Sequence, residues 1–198
     1  MINQAKALSL ARQIKAVIFD VDGVLTSGIE YLLPHGEVIK ARNYIDGQGI
    51  SLLRAIGLQI AFITNEPEKS ASGEFIKHLV EKWNNLPSSC QPDNPKGWPL
   101  IRLYTSDDRK ENKSDLLHQY LAEIKIEAKD CAVMGDDLVD VSMLKLAGFK
   151  IAPAQAEIII KQMTDWITER PGGAGAIRDL ANFILKAREI NPLDLASS

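Results

Sequence analysis

Lys15-Ala16-Val17-Ile18-Phe19-Asp20-Val21-Asp22-Gly23-Val24-Leu25-Thr26 is the stretch on which the rest of the chain is organised. Its apolar run shows no alternation with polar residues. Such a run needs cover on both faces, which makes it a short central strand of a parallel sheet. An acid ends the run, and Gly23 marks a sharp turn just beyond it. Asp20 and Asp22, two positions apart, reach the same point in space once the chain leaves its pleat. Alone, such an acid pair reads more readily as a turn or a solvated strand end. The apolar run before it and Gly-Val-Leu-Thr after it favour a site.

Outward from this strand, apolar runs alternate with amphipathic segments. Residues 29–33 and 38–41 flank Pro34-His35-Gly36-Glu37 and predict a hairpin. Helices are expected over residues 47–55, 68–85, 113–124, 139–147, 156–163 and 174–187, and a short amphipathic helix before Lys15. Strands are expected over residues 58–64, 100–104, 130–134, 150–152 and 165–167. Residues 86–99 are polar and proline-rich and predict an irregular insertion, and the tail after Asn191 is expected to be loose. This order predicts a single α/β domain over residues 1–198, with a core of about 15–187. It is a three-layer α/β/α, Rossmann-like parallel sheet with a β-hairpin after the first strand and no large cap domain. Ligands in such sheets bind at the carboxyl ends of the strands.

Composition narrows the function classes. The 198 residues are 45% hydrophobic and 25% charged, with a net charge of −3, a balance that argues against a general nucleic-acid binder. No run approaches the length of a membrane span, and no secretory signal is visible, so no membrane partner and a cytoplasmic location are expected. The two cysteines, Cys90 and Cys131, read as a loop thiol and a core thiol, and their spacing offers no zinc motif.

Three further clusters carry chemistry. Thr64 ends the apolar run Ile60-Ala61-Phe62-Ile63, where a hydroxyl and backbone N–H groups suit a phosphoryl oxygen. Lys113 starts a helix and is a candidate for neutralising that group, with Lys110 competing for the same role. Gly135-Asp136-Asp137-Leu138-Val139-Asp140 places three acids just past a buried strand. A helix dipole accounts for one of them, whereas a divalent cation held by hard oxygen ligands accounts for all three.

In this order the four clusters resemble the haloacid dehalogenase superfamily of phosphohydrolases, from about residue 15 to residue 187. Asp20–Thr26, Asp46-Gly47-Gln48-Gly49-Ile50, Gly135–Asp140 and Gly172-Gly173-Ala174-Gly175-Ala176-Ile177-Arg178 narrow the resemblance to its capless branch, which contains the 3-deoxy-D-manno-octulosonate 8-phosphate phosphatases, phosphatases of nine-carbon sialic-type acids and a domain fused to acylneuraminate cytidylyltransferases. The resemblance implies a phosphatase of an acidic sugar phosphate. Asp20 is then the nucleophile that forms an aspartyl-phosphate, and Asp22 the acid and base. Mg2+ is held by Asp20, the Asp22 main-chain carbonyl and Asp136, while Thr64, Asn65 and Lys113 bind the phosphoryl group. It also implies a homotetramer in which a neighbouring subunit helps to close each site.

Two departures stand out. Asn65-Glu66 follows Thr64 where those phosphatases usually carry Gly-Arg, which makes Glu66 a substrate-contacting candidate and keeps open a nine-carbon acylneuraminate-type substrate. The stretch between Thr64 and Lys113 is also longer than usual, by roughly two dozen residues. A non-catalytic oligomerisation domain is the alternative of a different class, and the intact acid pair weighs against it.

Overall fold

A computed structural model of the chain describes residues 3–35, 37–105 and 112–195. Gly36 of the hairpin turn, Lys110 and the end of the tail lie outside them. Helix α1 (Gln4–Gln13) opens the chain and leads into β1 (Ala16–Phe19). The hairpin follows as β2 (Thr26–Leu32) and β3 (Val38–Arg42), then α2 (Tyr44–Ala55) and β4 (Gln59–Thr64). Next come α3 (Ala71–Asn84), β5 (Arg102–Thr105), α4 (Lys113–Ile124) and β6 (Cys131–Met134). The chain continues through α5 (Val141–Leu144), β7 (Phe149–Ala152), α6 (Ile158–Met163), β8 (Trp166–Ile167), α7 (Ala176–Ala187) and α8 (Pro192–Leu195).

Six of the strands form one sheet in the order β5-β4-β1-β6-β7-β8, every neighbouring pair parallel. All four residues of β1 are buried, as its unbroken apolar run requires. The strand pleat sends Val17 and Phe19 into a core layer shared with α1, α2, α3 and α7. Ala16 and Ile18 face the opposite layer, built from α4, α5 and α6. Burying each of the larger side chains stabilises the fold by about 1.5–3 kcal/mol. The result is an α/β/α sandwich with β2–β3 as a separate antiparallel ribbon and no large cap among the described residues.

Register sets up the site. Phe19 pairs with Phe62 on one side and Met134 on the other, so the chain after β1, β4 and β6 leaves the sheet at one edge. The chain order also reverses at β1, and crevices at such reversals are where this sheet type binds ligands.

Several boundaries differ from expectation. The helix expected over 68–85 begins at Ala71, because the Ser70 side chain accepts from Gly73 N and caps it there. The helix expected over 139–147 is a 3-10 turn (Leu138–Asp140) followed by one α turn. Tight bonds from Leu146 N to Met143 O and Ala147 N to Leu144 O end it early. Residues 192–195 are a helical turn, not a loose tail, with the Asn191 side chain accepting from Leu193 N.

Candidate active site

Past β1 the backbone makes one more ladder bond, Asp20 N to Met134 O at 3.0 Å, and then coils. Val21 O accepts from Leu25 N at 2.9 Å and Thr26 N at 3.0 Å, which folds residues 21–26 into a tight loop beside the strand end. Gly23 sits there at φ +84°, a left-handed conformation, and a Cβ on it would lie 2.0 Å from Asp136 Oδ2. Any side chain at position 23 would therefore displace that carboxylate.

Asp20 is almost fully buried and lies 2.5 Å from Lys113 Nζ, which lies 2.7 Å from Asp140 Oδ1. Lys113 enters from the first turn of α4, whose N-terminus is capped by Asn112. Burial opposes its charge, but Asp20 and Asp140 outweigh burial and hold its pKa above the usual lysine range. The other oxygen of Asp140 accepts from Asp136 N at 2.9 Å and Asp137 N at 3.3 Å. Both oxygens of Asp140 are thus engaged, one by Lys113 and the other by the loop it supports. Burial pushes the Asp20 carboxyl up to about 7 despite the Lys113 charge beside it. Burial, with Asp140 and Asp137 nearby, likewise pushes Asp136 up to about 7.

Asp22 Oδ1 accepts from Thr26 Oγ1 at 3.0 Å and from Lys40 Nζ at 2.7 Å. Lys40 comes from β3 and also pairs with Glu30 of β2 at 2.9 Å. Thr64 is buried at the end of β4, its hydroxyl accepting from Glu66 N at 3.1 Å. Glu66 Oε2 accepts from Ser70 Oγ at 3.1 Å, and Asn65 is exposed beside it.

The glycine-rich loop before α7 lies directly against residues 23–27. Gly173 N donates to Val24 O at 3.0 Å, and a Cβ on Gly172 would lie 1.8 Å from Gly23 O. Gln155 stitches the two loops together, donating to Gly23 O at 2.6 Å and accepting from Gly172 N at 2.7 Å. Asp46 is buried in the first turn of α2 and accepts from Gly175 N at 3.0 Å and Arg178 N at 3.1 Å, placing a carboxylate at the start of α7. These glycines therefore serve close backbone approach to the acid loop, beyond helix entry.

Asp20, Asp22, Thr64, Asn65, Glu66, Lys113 and Asp136 all line one cleft of about 330 Å³, with Gly23, Gly28, Asp137 and Val139. These seven, named as site residues from the sequence, are brought together there, Asp140 stands outside the lining, and Lys110 lies outside the described residues. Residues 86–99 do not line the cleft. They lie behind α2 and α3, where the buried Arg54 donates to Pro99 O, Trp83 O and Ser89 Oγ. The sequence reading missed Lys40, Gln155 and Arg54. Each was a single polar residue with no local signal distinguishing it from a solvated one.

Four aspartates and a glutamate face one lysine in the lining, so a phosphate dianion would be repelled without a cation. The residues fit one. Oxygens of Asp20, Asp136 and Asp140 lie within 4.8 Å of one another, and Asp136 Oδ1 is buried without a hydrogen-bond partner. Because both oxygens of Asp140 are engaged, Asp20 and Asp136 are the side chains of this cluster better placed to hold a hard divalent ion, and their all-oxygen donor set suits Mg2+.

A parallel sheet that delivers a buried aspartate, a lysine and an acidic metal-type cluster to one strand edge defines a phosphoryl-transfer enzyme. Residues 58–176 match the family model of haloacid dehalogenase-like hydrolases, and the chain belongs to that family. It is 30% identical over 179 residues to the 3-deoxy-D-manno-octulosonate 8-phosphate phosphatase of Yersinia pestis, covering 90% of this chain and 83% of that one. Its fold is similar to a crystal structure of 3-deoxy-D-manno-octulosonate 8-phosphate phosphatase from Moraxella catarrhalis in complex with magnesium ion, phosphate ion and a KDO molecule. That likeness has a TM-score of 0.80 at 26% identity and covers 98% of this chain and 99% of that one. A cobalt-bound form of the Haemophilus influenzae phosphatase matches with a TM-score of 0.73 at 28% identity, covering 91% and 92%. Family and relatives together make the chain a phosphoric monoester hydrolase. Among the described residues no helix is long and apolar enough to cross a membrane.

Proposed function

We propose that the protein is a magnesium-dependent phosphatase of an acidic sugar phosphate of the 3-deoxy-D-manno-octulosonate 8-phosphate type, working in the cytoplasm. The observation that carries this is the convergence of Asp20, Asp22, Thr64, Lys113 and Asp136 on one cleft at the strand edge. Similarity to phosphatases of that substrate along nearly the whole chain supports the substrate class.

Asp20 is the nucleophile, because it is the buried carboxylate among those lining the cleft and is oriented by Lys113. Lys113, the Thr64 hydroxyl and the backbone around Asn65 hold the phosphoryl oxygens while charge redistributes over them. Asp22, held at the mouth of the loop by Thr26 and Lys40, protonates the departing sugar oxygen and then takes a proton from the water that releases phosphate. Asp20, Asp136 and the Asp22 main-chain carbonyl, which accepts no hydrogen bond from the described backbone, hold the metal. When bound, Mg2+ offsets repulsion between the carboxylates and the substrate dianion. Glu66, on the cleft wall, contacts the sugar. Residues 86–99 are an irregular insertion of the same single domain.

The hairpin supports assembly. Tyr31 pairs with Ile39 across the ribbon, and Ile29, Tyr31 and Ile39 are 57%, 61% and 51% exposed, an apolar strip on the side away from the Lys40–Glu30 pair. Such a strip marks a surface for another chain. A homotetramer in which this ribbon meets a neighbour's site is the arrangement we propose.

The test is phosphate release from eight- and nine-carbon sugar-acid phosphates with Mg2+, then with chelator. The wild type should prefer the eight-carbon substrate and lose activity on chelation, with kcat in Asp20→Asn reduced at least about 10³-fold in a folded protein. Turnover retained by Asp20→Asn would remove it as nucleophile. No turnover on any ester would leave a non-catalytic domain, and preference for nine carbons would reassign the substrate.

A further inference from the structure

Lys40 is a lysine on an exposed two-stranded ribbon, yet its side chain is only 5% exposed. It reaches back from β3 to bridge Asp22 Oδ1 at 2.7 Å and Glu30 Oε1 at 2.9 Å. Burial opposes its charge, but the hydrogen bonds it donates to the two carboxylates outweigh burial and hold its pKa above the usual lysine range. Both donors that hold Asp22, Lys40 Nζ and Thr26 Oγ1, engage the same oxygen, Oδ1. Among the described residues Oδ2 takes no hydrogen bond, and Asp22 lines the cleft.

We propose that Lys40 is a positioning residue: it clamps Asp22 by Oδ1 so that Oδ2 faces the cleft as the oxygen that gives and takes the proton. This rests on the phosphatase reading above. In the first half-reaction Asp20 bonds to phosphorus as the bond from phosphorus to the sugar oxygen breaks. The electron pair stays on that oxygen, which takes the proton from Asp22 Oδ2. In the second, a water oxygen attacks phosphorus, the bond to Asp20 breaks, and a proton from that water returns to Oδ2. Lys40 touches neither reacting atom. It fixes which carboxylate oxygen is presented, and it ties that choice to the ribbon. Glu30, sharing the lysine, holds the ammonium between the two strands and keeps it from swinging into the cleft.

Loss of a well-placed general acid hurts esters of basic alcohols most and esters of acidic phenols least. The experiment uses a series of aryl phosphates of increasing leaving-group basicity, none carrying a carboxylate, with Mg2+ present. The readout is the slope of log kcat/KM against leaving-group pKa, which reports the half-reaction that forms the aspartyl-phosphate and does not depend on how much of a variant folds. In Lys40→Met the slope should steepen. Phenyl phosphate should lose at least about tenfold more activity than 4-nitrophenyl phosphate, and Lys40→Arg should restore a slope near the wild type.

Parallel lines for wild type and Lys40→Met would overturn the positioning role and leave Lys40 as a plain strut of the ribbon. A parallel loss on aryl esters joined to a rise in KM on the sugar acid alone would make it a substrate contact instead, which also overturns it. Failure of the underlying phosphatase reading looks different: wild type inactive on every ester, or Asp20→Asn as active as wild type.

Discussion

Asp20 and Asp136 show how much the site depends on a cation. Each is held up to about 7, mainly by burial, against an ordinary carboxyl value of 3.8. A native value raised in this way means that the folded protein binds more protons than the unfolded chain between those two values. The stability it contributes is complete below the unfolded pKa and is lost as pH rises through about 7. Metal binding needs both groups ionised, so protons and Mg2+ compete. Titration calorimetry at pH 6 and pH 8 should give an affinity tighter at pH 8 by about tenfold or more. The metal-free protein should melt lower at pH 8 than at pH 5.5, with Mg2+ raising Tm most at the higher pH. Equal affinities at the two pH values would contradict the assignment of these carboxyls. Cys131 shows the same physics: burial, with the Asp130 charge nearby, pushes its thiol up to about 12.

Among the elements, α2 does two jobs that its sequence only half reveals. Its first turn carries Asp46 to the N–H groups at the start of α7, and so steadies the glycine loop that backs the acid loop. Its last turn carries Arg54 inward to three acceptors at the base of residues 86–99, where burial lowers the guanidinium pKa to about 10, still charged at neutral pH. Arg54→Met leaves Pro99 O without this donor and breaks the links to Ser89 and Trp83. At about 1–3 kcal/mol for each buried acceptor left unsatisfied, the loss should approach 3 kcal/mol or more in urea unfolding. Proteolysis within 86–99 should speed up. Since that segment does not line the cleft, kcat/KM per folded molecule should stay within about twofold of wild type, and a much larger fall would place the insertion in the reaction.

At the scale of the whole molecule the ribbon is the feature on which the proposed tetramer rests. Its two faces differ because strand side chains alternate. Glu30 and Lys40 are cross-strand partners turned toward Asp22, while Tyr31 and Ile39 are partners turned to solvent. Light scattering of the wild type should give the mass of a tetramer, and a Tyr31→Asp/Ile39→Asp variant should dissociate with its melting of the sheet core little changed. If assembly completes each site, kcat/KM should fall with dissociation. A wild-type monomer at full activity would refute the tetramer.

By itself, the sequence determined the sheet, the position of its central strand and the residues at the strand ends. An apolar run without alternation admits only a doubly covered strand, and acids or a threonine placed just past such runs must emerge together at one edge of a parallel sheet. Asp20, Asp22, Thr64 and Asp136 were legible for that reason, and Lys113 only through the family resemblance. The tertiary structure alone decided what holds them. Lys40, Gln155, Asp140 and Arg54 act through partners distant in the chain or on another element, and their contacts arise only when the ribbon, the glycine loop and α2 dock. The exchange of water for such partners is a long-range event that no local pattern records. Asp20 could be read as the acid at the strand end from its neighbours in sequence. That Asp22 presents one particular oxygen depends on a lysine delivered by the next two strands.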